Sequence, residues 1–283
     1  MRPIIVASLF LILNFATAAE EPDPLTDPFS GVQFHYGEGG EASWWRGVLK
    51  TGNAFGLSAG DDLIFRFGPR LEITHLDLGE KRERERFEEL YRITGEMAAI
   101  FHQRGTPWVW FANVEAGLFS DLKAIDSDDF DFSARLGGSY QFSETFRLNF
   151  GISRQRNFGE TQVLPALGFE WKPAPGQALT LVGARLTYSY EISDELILRA
   201  GGFPTGGVWN VEESDGTSVD YGMVSYNLGL GVDQKLSDQL WLSVWAGTTL
   251  ANEVSAEVSG TEVFQEDFDT GWFFSAGVKA YAW

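Results

Sequence analysis

The chain has 283 residues and no cysteine. That absence removes disulfides, thiol chemistry and attachment of lipid to an N-terminal cysteine. Histidine is nearly missing as well. His35, His75 and His102 are the full set, and none belongs to an HExxH pair or accompanies a GxSxG elbow or a glycine-rich phosphate loop. These residues therefore support no catalytic, cofactor or metal site, and a non-enzymatic role is expected. Positive charge is scarce, with 21 Lys and Arg against 40 Asp and Glu for a net charge of −19. Such a surface repels phosphates, so no nucleic-acid partner is expected. Long apolar runs are also lacking. Past residue 20 none approaches the ~18–20 residues that a spanning helix requires.

Bulky apolar residues are nonetheless plentiful. They make up 44% of the chain, with 10 Trp, 23 Phe and 32 Gly beside them. A chain of this composition can bury enough surface to fold. Its apolar residues are interleaved with polar ones, which points to strands of period two.

The N-terminus reads Met1-Arg2-Pro3, then an apolar core Ile4–Leu13, then Ala16-Thr17-Ala18. One positive charge, a short apolar core and small residues at the end form a secretory signal peptide, cleaved after Ala18. Residues 1–18 are then the signal, 19–28 an extended leader, and 29–283 the folded domain. An exported acidic chain without helical spans belongs either to the periplasm or to an outer-membrane barrel.

Alternation is clearest from Phe130 to Phe142, where even positions are Phe130, Phe132, Ala134, Leu136, Gly138, Tyr140 and Phe142. Odd positions carry Asp131, Ser133, Arg135, Gly137, Ser139 and Gln141. After Ser143-Glu144-Thr145 the phase resumes with Phe146, Leu148, Phe150 and Ile152, so both apolar faces lie on one side of a hairpin. The same turn recurs at Ser193-Asp194-Glu195 and Ser237-Asp238-Gln239, each between phase-matched strands. Ser and Asp suit it because their side chains bond nearby backbone groups.

A soluble β-sandwich also alternates, but three features favour a membrane barrel. The strands are long enough to cross a bilayer when tilted, which takes about 9–11 residues. Short turns occupy one side, whereas Asp121–Asp129, Val211–Asp220 and Glu253–Asp269 read as long acidic connections on the other. Aromatics gather near strand ends, at Trp44-Trp45, Trp108-Val109-Trp110, Trp171, Trp209 and Trp272-Phe273, as an interfacial girdle would. The chain closes on Tyr281-Ala282-Trp283, and a terminal aromatic strand is the signal that barrel-assembly machinery reads. Tyr281 and Trp283 are the candidate assembly signal. Lys279 breaks the face they share, while Trp272, Phe274, Ala276, Val278 and Ala280 form a more apolar one, so the lipid face of this strand stays open.

The serine–acidic turns, Asn157-Phe158-Gly159, the segment Val163-Leu164-Pro165-Ala166-Leu167-Gly168-Phe169-Glu170-Trp171 and Leu186-Thr187-Tyr188-Ser189-Tyr190 resemble a family of outer-membrane β-barrels defined only as a domain of unknown function. The resemblance is best over about Asp121–Trp283. It implies a transmembrane antiparallel up-and-down barrel in the outer membrane of a Gram-negative-type envelope, and it supplies no site residues.

Turns on one side of such a barrel must be separated by an even number of strands. Lys172-Pro173-Ala174-Pro175-Gly176 breaks the ladder, and two strands, 178–182 and 185–192, are needed before Ser193 to keep parity. Carried through, the count is 14, or 12 if a weak pair merges. Pro69 and Pro165 mark expected bulges or edges.

With apolar positions on lipid, the lumen would carry Arg66, Arg70, Glu72, Arg92, Glu96, Glu115, Asp131 and Asn149. Arg135, Arg147, Arg185, Glu191, Arg199 and Asp233 join them as the leading lumen-lining candidates. Barrels of this size either hold water or are plugged by their own side chains. The expected role is a narrow solute pore or passive transporter, with a structural or surface-contact barrel of filled lumen as the alternative. A rim-site lipid-modifying enzyme is a distant third, because its histidines have no motif. Outer-membrane lipid and the assembly machinery are the expected partners. Asp126-Ser127-Asp128-Asp129-Phe130-Asp131 lacks the glycine and closing glutamate of a calcium loop and reads as solvated. Lys81-Arg82-Glu83-Arg84-Glu85-Arg86 reads as a charged surface loop.

Overall fold

A computed structural model describes residues 31–51, 55–78, 87–158, 160–213 and 216–280. The signal peptide, the leader, Lys81–Arg86 and the assembly signal Tyr281 and Trp283 lie outside the described residues. Every regular element among those described is a strand. In chain order they are β1 (Gly31–Gly39), β2 (Ala42–Lys50), β3 (Phe55–Ala59), β4 (Leu63–Asp77), β5 (Phe87–His102), β6 (Trp108–Ser120), β7 (Phe130–Ser143) and β8 (Phe146–Phe158). They continue as β9 (Glu160–Trp171), β10 (Gln177–Val182), β11 (Arg185–Ser193), β12 (Leu196–Glu212), β13 (Ser218–Ser237), β14 (Leu240–Val258), β15 (Thr261–Phe268) and β16 (Gly271–Ala280).

These 16 strands make a ring of 14. β2 and β3 share one ring position, since β2 pairs with residues 70–77 of β4 and β3 with residues 63–67. β15 and β16 share another along β14. β1 pairs with β16 and β13 with β14, so the antiparallel sheet closes on itself. Closure pairs the strands around the full ring, the condition for a strand structure to cross a bilayer, and the one-sided stretches of β9 and β12 lie toward the other end from residues 31 and 280. The count agrees with turn parity, which requires an even number.

Proline explains both interruptions expected of it. Pro69 falls where the partner of β4 changes from β2 to β3, a place where its missing N–H breaks little. Pro165 pairs with Ile152 of β8, but on its other side β9 has no partner before Gly168, because β10 is only 6 residues long.

Connections at one end are short: 60–62, 103–107, 144–145, 172–176, 194–195 and 238–239, with residues 31 and 280 at the same end. At the other end the expectation of three long loops needs correction. Only 121–129 is a loop. β12 and β13 stay paired to Glu212↔Ser218, and β14 and β15 to Val258↔Thr261. Those acidic stretches alternate as well, and ladder hydrogen bonds carry both hairpins through them.

The outward face carries an apolar belt, as in Leu228, Leu230 and Val232, while the alternate residues Ser225, Asn227 and Asp233 are fully buried. The last strand follows this rule. Trp272 and Phe274 face outward, whereas Phe273 and Ser275 are buried and Lys279 points into the lumen. At the short-turn end Trp108, Trp110, Tyr140, Phe142, Phe146 and Phe169 form an unbroken outer band of ring contacts. Trp45, stacked on His75, and Trp272, beside Tyr36, mark the opposite interface. Trp44, Trp209 and Phe273 do not belong to the girdle. Their phase turns them inward, and each is almost completely buried.

Candidate functional site: the lumen

The site is the inner wall, and it is layered. At the loop-side mouth the upper part of the β12–β13 hairpin, 17 and 20 residues in its two strands, leaves the line of the wall. The β11 partner of β12 ends at Gly202, so β12 continues with one side unpaired. Gly206 has φ 133°, and a Cβ there would lie 1.9 Å from the Met223 carbonyl oxygen, so only glycine fits. Beyond it Val208, Trp209, Asn210 and Val211 are buried on successive positions, meaning that both faces of the strand are covered. A strand in the wall covers one face only.

What covers them lies across the ring. Asn210 of β12 pairs with Ser120 of β6, six strands away, and the Asp121 N–H donates to the Asn210 carbonyl at 3.3 Å. Trp209, Val211, Val219, Tyr221 and Met223 of the hairpin pack on Trp44, Leu76, Leu78 and Leu90 from β2 through β5. The β12–β13 hairpin therefore folds across the mouth. The crevice among Trp44, Arg46, Thr74, Thr205, Trp209 and Met223 has no room for a water molecule.

One layer down the wall is charged. Glu72 is fully buried and holds Arg46 at 2.5 Å and Arg70 at 2.6 Å. Arg92 pairs with Glu115 at 3.0 Å, and Thr94 donates to the same carboxylate at 2.7 Å. Lys50 and Asn113 engage Glu96 at 3.1 and 2.7 Å. Beside this charged layer His35, which pairs with Arg46 across the β1–β2 ladder, stacks on Phe273 at 5.5 Å, with Phe203 and Trp245 edge-on nearby. Neither His35 ring nitrogen has a hydrogen-bond partner. His75 stacks on Trp45 at the outer surface, and His102 is exposed near the short turns.

The lowest layer centres on Asp233. Its Oδ2 accepts from Arg199 at 2.6 Å and from Lys279 at 2.7 Å, and Arg199 also donates to Ser189 Oγ at 2.6 Å. Arg185 stacks its guanidinium on the Phe203 ring at 4.8 Å. Of the leading candidates, Arg185, Arg199 and Asp233 thus converge. Arg135, Arg147 and Glu191 are separate, Arg147 lying at the short-turn end with Gln141 at 2.6 Å and Glu170 at 3.8 Å.

Sequence reasoning missed Arg46, Lys50 and Lys279. The period Trp44, Arg46, Val48, Lys50 was the available signal, masked by treating Trp44-Trp45 as girdle. The acidic loop is self-contained: the Asp126 N–H donates to Asp129 at 2.7 Å and the Asp128 N–H to Asp126 at 2.8 Å.

Charge is sorted between the two sides of the wall. Among the described strands the inner face carries Arg46, Lys50, Arg66, Arg70 and Arg92, then Arg135, Arg147 and Arg185, then Arg199, Lys235 and Lys279. These eleven are more than half of the chain's 21 cations. Its carboxylates are Glu72, Glu96, Glu115, Asp131, Glu170, Glu191, Asp233 and Glu266, eight of 40. Among the described residues, a chain of net charge −19 thus turns a net positive face inward.

A closed antiparallel ring with an apolar outer belt, aromatic bands and a charged interior defines a transmembrane β-barrel of the outer-membrane type. Residues 71–281 match the family described as Domain of unknown function (DUF6268), and the chain belongs to it. The match starts well before the Asp121 at which the sequence resemblance was best. No curated protein sequence matches this one. Among solved structures, the NanC porin is similar with TM-score 0.36 and 6% identity, over 88% of this chain and 98% of that one. The KdgM porin gives 0.34 and 8%, over 89% and 98%. A mutant of the Rh. blastica porin gives 0.31 and 8%, over 89% and 99%. These superpositions are too loose to argue from, and the fold rests on the strand pairing above.

Proposed function

We propose that this chain is a narrow pore of the outer membrane, exported by a signal peptide cleaved after Ala18, inserted by barrel-assembly machinery and closed at its loop-side mouth by its own β12–β13 hairpin. The carrying observation is the cross-lumen pair Asn210↔Ser120. A purely structural barrel has no need to fold an extramembrane hairpin over its mouth. Apolar constrictions of the kind built by Trp44, Trp209 and Met223 shut a pore by excluding water.

A filled-lumen structural barrel remains the second reading, favoured by the buried Arg46–Glu72–Arg70 network. Planar-bilayer recording of the refolded protein separates the two. Gly206 and Val224 are already paired, so residues 207–223 can be replaced by Asn-Gly, a two-residue hairpin turn. The native chain is expected to open rarely and the shortened one steadily. Silence from both, with heat-modifiable gel mobility showing that they are folded, would establish the structural barrel instead.

A further inference from the structure

We propose that the lumen selects small anionic solutes, with Arg185, Arg199 and Lys279 forming the site that takes the anion. This rests on the pore reading and names its substrate class.

The sorting of charge is the first support. Chance distribution of a chain with 40 carboxylates and 21 cations would give an acidic interior, yet the described inner wall is cationic. Most of the upper cations are matched: Glu72, Glu96 and Glu115 answer Arg46, Lys50, Arg70 and Arg92. The imbalance sits lower down. There Arg199 and Lys279 share the single oxygen Asp233 Oδ2, and Arg185 lies over the Phe203 ring. Three cations around one carboxylate leave a local charge of about +2, which a visiting carboxylate or phosphate would neutralise. Arg185 shares the inward phase of the buried Thr187 and Ser189, and Ser189 adds a hydroxyl beside Arg199. Guanidinium groups suit this task because they are weakly hydrated and present paired N–H donors.

The acidic loop-side rim opposes anion entry, and magnitude decides which effect wins. Exposed charges are screened over about 8 Å at physiological salt, whereas charges facing each other across a narrow, low-dielectric lumen act on an ion at contact distance. The rim slows arrival at low salt, and the lumen sets selectivity.

The test is the reversal potential of the full chain in a planar bilayer across a tenfold potassium chloride gradient. Chloride is expected to permeate at least about threefold better than potassium. Arg185→Gln should lower that ratio and Arg185→Glu should bring it to about one or below. Neither change breaks an ion pair among those described, and heat-modifiable gel mobility checks that each variant folds. A native pore that prefers potassium or shows no preference overturns the anion site and leaves the pore standing. Unchanged selectivity in Arg185→Glu overturns the assignment of the site. Silence from a folded barrel, with the hairpin-shortened chain silent too, removes the pore and this inference together.

Discussion

Ser120 and Asn210 belong to strands six places apart around a ring of 14, and they pair backbone to backbone across the lumen. Wall strands pair with neighbours, so this contact exists only because β12 leaves the wall. It can do so because its β11 partner stops at Gly202 and Gly206 adopts a backbone closed to other residues.

Trp209 is the largest side chain at this closure and is 1% exposed. Trp209→Ala should loosen the hairpin at a local cost of about 3–5 kcal/mol. The expected readout is a rise in open probability in planar bilayers with unchanged heat-modifiable mobility, since the membrane span is untouched. Equal open probability in both proteins would separate Trp209 from closure.

Glu72 is expected to matter for stability. Glu72→Ala leaves Arg46 and Arg70 without their nearest carboxylate at a buried position, a loss of about 3–5 kcal/mol. Replacing Arg46 by Met and Glu72 by Leu together should recover most of it, because Arg70 still faces Glu115. Urea unfolding in lipid vesicles followed by gel mobility measures both. A double variant no better than Glu72→Ala would contradict the pairing.

The lipid face makes a depth-dependent prediction. Leu230→Arg places a charge on the outer surface of β13 and should cost about 2–4 kcal/mol in vesicles, against about 1 or less for Leu57→Arg near the short-turn rim. Both leucines are about equally exposed, at 69% and 73%. A soluble protein would tolerate both equally, and equal costs here would deny the membrane.

Asp233→Asn should have two opposed effects. Stability falls, because Arg199 and Lys279 lose their shared charge. Anion preference rises, because the only carboxylate of that cluster is gone. Reversal potentials before and after the change give the sign directly, and a fall in anion preference would contradict the cluster.

Much of the barrel was legible in the sequence because lipid imposes period two on every strand. The phase of Phe130–Phe142, the serine–acidic turns and the parity argument at Lys172–Gly176 all match the ladder. The hairpin closure was not legible. Val208–Val211 alternates like any strand, and only tertiary pairing shows that both its faces are covered. The face of the last strand stayed open for a related reason. A lone lysine beside Tyr281 and Trp283 is ambiguous in sequence, and it becomes an ion-pair partner once Asp233 stands opposite.

Closure by the hairpin is tested most directly by a cross-link, which the cysteine-free chain makes unambiguous. Ser120 and Asn210 are bridge partners, and neighbouring paired strands run about 4.7–4.9 Å apart, inside the roughly 4.4–6.8 Å Cα separation that a disulfide spans. Ser120→Cys with Asn210→Cys is expected to form an intramolecular disulfide on air oxidation and to hold the pore shut. Reduction in the bilayer chamber should then restore openings. Failure to cross-link in the folded protein, or conductance indifferent to reduction, would contradict closure by β12–β13.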